Sequence, residues 1–229
     1  MAKEILKRLA APKTWHVERK KTKLITKPVP GPHKTENGIP LNILLKEILN
    51  YAKTTREVKK LLATNEIKID GKARKDPRFQ VGIFDSIEFT GINEHYRVIL
   101  NKKGFIELLK ISKEEASTKP CKIIGKTMVK GKLQLNLYDG KNIIADKKDY
   151  KVGDTVLLSF PGQKISKHLK MDKKSTIFLI GGKHKGETGN VENIMANRVV
   201  YKNHKGELIE TSKDYAFVVV EQKSLIKLD

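Results

Sequence analysis

The sequence holds a single cysteine, Cys121, and a single tryptophan, Trp15. One cysteine excludes a disulfide within the chain and any thiolate cluster, so a reducing compartment is the expected setting. Aromatic residues make up only 6%, and all hydrophobic residues together 38%. That is enough for real cores but below the usual globular share. Long apolar runs are missing too. The longest are Phe217 to Val220, Ile177 to Ile180 and Val98 to Leu100, far short of the roughly 18 residues that span a bilayer. The first residues carry charge but no apolar stretch of about 7–15 residues, so no secretory signal is expected there. Acids are scarce: 26 Asp and Glu stand against 47 Lys and Arg in 229 residues, a net charge of +21. Such an excess costs self-repulsion, and a polyanionic partner is its simplest explanation.

Enzyme signatures are also absent from the sequence. It has no Gly-x-x-x-x-Gly-Lys-Ser/Thr phosphate loop, no Gly-x-Gly-x-x-Gly opening a helix and no Gly-x-Ser-x-Gly elbow. The six histidines (His16, His33, His95, His168, His184 and His204) form no His-Glu-x-x-His pair, and a zinc site finds no thiolate partner. His16-Val17-Glu18 and Pro120-Cys121 echo a zinc deaminase, but position 124 is Ile where the second cysteine belongs. No cofactor, metal, small-molecule substrate or catalytic residue is expected.

The charge is unevenly placed. Residues 1–36 carry ten basic and three acidic residues, a net of +7. Residues 37–90 carry ten and seven, and the remaining 139 carry 27 and 16. The first stretch also holds Pro12, Pro28, Pro30 and Pro32. Proline fixes φ and removes a donor, so an extended basic arm is expected, with at most one short helix near Ile5 to Leu9. Alone it would bury too little apolar surface to stay ordered.

Leu41, Leu44, Leu45, Ile48 and Leu49 recur at helical spacing. A second helix is predicted from Thr54, with Glu57 completing a capping box. Its apolar side is Val58, Leu61 and Leu62, and the opposite side presents Arg56, Lys59 and Lys60. Asp70-Gly71 suits a tight turn, with Lys68, Lys72, Arg74, Lys75 and Arg78 around it. A helix face beside a basic hairpin makes a cationic surface fit for phosphate, although a solvated lysine face would look the same. Farther on, strands are expected at Tyr96 to Leu100, Cys121 to Gly125, Leu133 to Leu137, Ile143 to Ala145 and Thr155 to Phe160. Glu107 to Ser117 could hold a short helix or a loop. Ile177 to Ile180, Gly189 to Ile194, Arg198 to Tyr201 and Ala216 to Val220 suggest a small barrel.

Thr54 to Leu62 followed by Ile67 to Lys72 resembles the RNA-binding module named after ribosomal protein S-four. Gly181-Gly182-Lys183-His184-Lys185-Gly186-Glu187-Thr188-Gly189-Asn190-Val191 resembles the KOW motif. There the glycines could bring backbone close to phosphate, or they could simply turn a hairpin. Leu6 to Trp15 and Pro30 to Lys34 resemble the N-terminal segments of the archaeal and eukaryotic small-subunit ribosomal protein S-four-e family. Tyr138-Asp139-Gly140 and Val152 to Val156 extend that resemblance into the middle of the chain.

The resemblance implies an α+β, multidomain fold: a basic arm over 1–40, the RNA-binding module over 41–91, a β-rich central domain over 92–172 and a small SH3-like KOW barrel over 173–229. It implies a structural constituent of the small ribosomal subunit in the cytoplasm. Its partners would be ribosomal RNA and neighbouring ribosomal proteins, with no membrane. The expected RNA contacts are Lys7, Arg8, Lys13, Trp15, Arg19, Lys20, Lys21, Lys23, Lys27, His33 and Lys34 in the arm. In the module they are Arg56, Lys59, Lys60, Lys68, Lys72, Arg74, Lys75 and Arg78, and in the KOW loop Lys183, His184 and Lys185. Trp15 has two readings, stacking on a base or anchoring the arm in a core. A pseudouridine synthase would need a catalytic domain for which no pattern is present. An elongation factor would leave the arm and residues 41–90 without a role.

Overall fold

A computed structural model of the chain describes residues 5–64, 66–145 and 149–220. It is mostly β, with few helices, and divides into two compact units. The first holds residues up to Leu100 and Phe105–Ser117; the second holds Asn101–Gly104 and the chain from Thr118.

The first unit opens on an antiparallel ribbon of β1 (Ile5–Lys7) and β2 (Leu24–Thr26), followed by β3 (Gly38–Pro40). The helix expected near Ile5 to Leu9 is instead β1 plus one 3-10 turn at Arg8–Ala10. A single helical turn nucleates poorly, whereas pairing with β2 satisfies the backbone at once. The arm is not loose. Ala11, Trp15, Ile25 and Ile39 are buried, and the Ile106 amide donates to the Thr14 carbonyl at 2.8 Å. Packing within the unit supplies the order that the arm alone was not expected to keep.

The first predicted helix is α1 (Leu41–Ile43), which runs on as a π-helical segment, Leu44–Ile48. Leu41, Leu44 and Leu45 are fully buried. α2 (Thr55–Ala63) starts where its cap requires: Thr54 accepts from the Glu57 amide and the Glu57 carboxylate accepts from the Thr54 amide. Val58 and Leu62 face the core. Next come β4 (Ile67–Ile69), β5 (Lys72–Ala73), β6 (Gln80–Gly82), β7 (Ser86–Phe89), β8 (Glu94–Leu100), β9 (Ile106–Lys110) and a short α3 (Lys113–Ala116). β5-β4-β7-β8-β9 form one antiparallel sheet and β6 pairs with β3. Asp70 and Gly71, both at positive φ, turn β4 into β5. β8, expected in a central β region, pairs with β7 in this first sheet.

The second unit carries two five-stranded antiparallel sheets. One is β10 (Thr118–Val129), β11 (Lys132–Leu137), β12 (Asn142–Ala145), β13 (Thr155–Ser159) and β14 (Lys164–Leu169), ordered β12-β11-β10-β13-β14. Cys121, Ile123, Leu135, Leu137, Val156 and Leu158 fill its core. The other is β15 (Thr176–Leu179), β16 (Thr188–Ile194), β17 (Arg198–Asn203), β18 (Leu208–Ser212) and β19 (Ala216–Val220), ordered β18-β17-β16-β15-β19. Lys122 ties β10 to the turn before β19: its ammonium donates to the Lys213 and Asp214 carbonyls at 2.6 and 3.0 Å. Burial lowers that ammonium's pKa to about 8.

Candidate nucleic-acid interface

In the first unit, the β1–β2 ribbon, the α1 helical segment and the start of α2 enclose a groove of about 930 Å³. Its walls carry Lys21 from the arm, Lys59 from α2 and Arg78 from the segment before β6. These three belong to the sequence-predicted set and come from segments far apart in the chain. Lys46 and Lys53 join them and were not foreseen. Lys46 shares a helix side with Asn42, one turn before it, and could have been read from the helical period; Lys53 directly precedes the cap of α2, outside any helix, and carries no such signal.

The acids here are largely compensated. Arg8 grips Glu47 through two hydrogen bonds of 2.9 and 2.7 Å, and donates to the Thr22 hydroxyl and Glu18 carbonyl at 3.0 Å each. The hydrogen bond to Glu47 pushes the Arg8 guanidinium above its ordinary value. Asp76 accepts from the Arg78 amide at 2.8 Å. The N-terminus of α2 is already capped by Glu57, whose carboxyl is held below its usual range by hydrogen bonds led by the Lys53 amide. The α2 N-terminus is thus already occupied by a carboxylate, and what the groove offers an anion is its basic side chains. Asn42, nearly buried, donates to the Thr26 hydroxyl at 2.6 Å, while its Oδ1 has no partner among the described residues.

Among the other arm residues, Lys7, Lys13, Lys20, Lys23, Lys27 and Lys34 are exposed. Three expected contacts turn inward instead. Arg8 is spent on Glu47. Trp15 is 1% exposed and donates its indole N–H to the Gly38 carbonyl at 2.8 Å. His33 is buried against Asp85 at 3.0 Å. Each has a partner supplied by the fold, so of its two readings Trp15 takes the core anchor. Arg19 is half-buried and braces the arm by donating to the Ala11 and Pro12 carbonyls at 2.6 and 2.8 Å.

In the module region Arg56, Lys59, Lys60, Lys72 and Lys75 are exposed, and Lys68 is half-buried. Arg74 stacks over the Phe79 ring at 4.4 Å. In the second unit Lys183 is exposed. His184 faces Glu187 at 3.2 Å, and Lys185 is half-buried near Gly104. Gly189, which the sequence left either as close approach to phosphate or as a hairpin glycine, serves packing. The Tyr201 ring and the Lys202 carbonyl lie where its Cβ would stand, and burial pushes the Tyr201 hydroxyl up to about 12. No cluster of three metal-ligating side chains occurs among the described residues.

Fold and groove together define a class: a basic, multi-sheet β protein that offers cations from several elements to one groove. Comparison with known proteins makes the class specific. Residues 92–165 match the sequence model of Ribosomal family S4e, and residues 2–36 match that of the RS4NT (NUC023) domain. The chain is 42% identical over 221 residues to small ribosomal subunit protein eS4 of Methanocella arvoryzae, covering 93% of each. It is 38% identical over 240 residues to the same-named protein of Methanocaldococcus jannaschii, covering 99% of this chain and 98% of that one. The crystal structure of 30S ribosomal protein S4e from Thermoplasma acidophilum superimposes with a TM-score of 0.71 at 33% identity, covering 83% of this chain and 99% of that one. The chain belongs to ribosomal family S4e.

Proposed function

We propose that the protein is a structural constituent of the small ribosomal subunit. It binds ribosomal RNA mainly through sugar-phosphate contacts and supports subunit assembly and translation. The observation that carries this is the convergence of Lys21, Lys46, Lys53, Lys59 and Arg78 on one groove from separate segments. Cations so placed neutralise a run of phosphates and leave sequence unread. Near full-length similarity to proteins named for the small subunit supports the same reading. Residues 41–91 serve as the S-four-type module, and 173–229 as the KOW barrel. The remaining exposed arm cations, Lys183 and neighbouring ribosomal proteins supply further contacts. The protein works in the cytoplasm, and no catalytic step is assigned to it.

Filter binding to small-subunit ribosomal RNA tests this. With roughly 6–10 phosphates neutralised, affinity falls ~10³–10⁵-fold between about 50 and 200 mM salt. A flat salt response, or sedimentation of the chain away from the small-subunit peak, would overturn the reading.

A further inference from the structure

From Ala116 to Tyr138 the chain has no acidic residue. This stretch builds the long ribbon of β10 and β11, closed by a tight turn at Lys130-Gly131, both at positive φ. Lys130 in the turn and Lys132 directly after it are exposed. One face of the ribbon packs: Leu135 and Ala145 are buried there. The other face is set by the register, which places Thr127 opposite Gln134 and Gln134 opposite Ile144, with Gly125, Asn136 and Asn142 two positions along. It therefore carries Thr127, Gln134, Asn136 and Asn142, with the exposed Val129 and Ile144 beside them. Three of the polar side chains engage one another: Gln134 donates to Asn136 Oδ1 at 3.0 Å, and Asn136 donates to the Thr127 hydroxyl at 3.3 Å. Such a network fixes the amides in place and still leaves donors and acceptors for a partner.

The face joins amides and hydroxyls at its centre to cations at its end, so it takes a partner that offers hydroxyls beside negative charge. Duplex RNA suits it. The A-form minor groove is wide and shallow and presents 2′-hydroxyls, each both donor and acceptor, between two phosphate rows. An open sheet face of amide and hydroxyl side chains can lie against a shallow groove, and lysines at the hairpin tip reach the flanking phosphates.

We propose that the β10–β11 ribbon is a second RNA-binding element, which lies in the minor groove of an RNA duplex. Thr127, Gln134 and Asn136 meet 2′-hydroxyls, and Lys130 and Lys132 meet phosphates. This rests on the RNA-binding function proposed above and assigns to the second unit a duplex-reading role separate from the groove of the first.

The test uses the full chain with a mixed-sequence RNA duplex of about 16 base pairs, the DNA duplex of the same sequence, and small-subunit ribosomal RNA. Lys130→Ala with Lys132→Ala weakens both duplexes alike and lowers the salt slope by about 2. Thr127→Ala with Gln134→Ala and Asn136→Ala weakens the RNA duplex about tenfold, the worth of one or two hydrogen bonds, and leaves DNA within about twofold. Melting curves of both variants match the parent. The proposal fails if the triple variant lowers RNA and DNA binding equally, or lowers neither while the parent binds ribosomal RNA. It also fails if the variant blocks capture of a ribosomal protein while duplex binding is intact. Loss of all RNA binding by the parent would instead overturn the function proposed above, and this proposal with it.

Discussion

Trp15 gives the clearest test of whether the basic arm folds before it meets RNA. It is the chain's one tryptophan, is almost fully buried, and spends its N–H on the Gly38 carbonyl at 2.8 Å. Truncating a buried tryptophan to alanine costs about 3–5 kcal/mol. Trp15→Phe keeps an aromatic ring but strands a buried carbonyl, which costs about 1–3 kcal/mol. Against a total of about 5–15 kcal/mol, the alanine variant should melt at least about 10 °C lower in its first transition, with the phenylalanine variant between it and the parent. Far-UV dichroism reads the melts. In the parent, Trp15 emission itself reports the arm. Acrylamide is the suitable quencher, because an anionic one would be concentrated by the protein's positive field. Quenching should be weak in the free protein and unchanged when RNA is added. Strong quenching that RNA suppresses, together with an alanine variant costing under about 1 kcal/mol, would refute the packing described here.

Other expectations follow from the same geometry. Arg56→Ala, Lys59→Ala and Lys60→Ala together should weaken RNA binding in filter assays and move stability by no more than about 0.5 kcal/mol per site, since all three are exposed. Lys46→Ala with Lys53→Ala should reduce the salt slope by about 2 if the groove holds phosphates. Gly82→Ala should destabilise the first unit in a urea titration, because the added methyl enters the space of the buried His33 ring, itself held by Asp85. Lys122 sets a pH dependence: its ammonium loses its proton near pH 8 in the folded chain but near 10.5 when unfolded. Between these values the unfolded state binds the extra proton, so stability rises with pH by up to about 3 kcal/mol, and below pH 8 the burial penalty is fully present. Lys122→Met should flatten that rise in melts taken across the window.

How much of this was legible in the sequence depends on who satisfies each residue. The capping box of α2 and the Asp70-Gly71 turn are local devices, complete within four residues, and could be read directly. β1, β2 and β3 of the arm escaped detection, because short extended pieces there give no periodic signal. So did β9, β14 and β18, each the edge of its sheet. In β14, Lys164-Ile165-Ser166-Lys167-His168-Leu169, charge interrupts the alternation, which is also how an edge avoids pairing with another chain. The groove was half visible: charge could be counted, but Lys21, Lys59 and Arg78 share a site only through tertiary packing. Arg8, Trp15 and His33 were placed on the RNA side because a basic, proline-rich arm gives no periodic signal of burial. Their partners, Glu47, Gly38 and Asp85, lie 39, 23 and 52 residues away.

The Arg8–Glu47 clamp has a thermodynamic consequence for assembly. An arm that must fold onto RNA would give binding a large negative heat capacity change and a heavy entropy loss. With Arg8 and Trp15 already seated, that ordering is complete before encounter. Calorimetry at several temperatures should therefore show the modest heat capacity change of rigid docking, with counterion release supplying a favourable entropy. Docking would then be governed by electrostatic encounter and not by a folding step on the RNA.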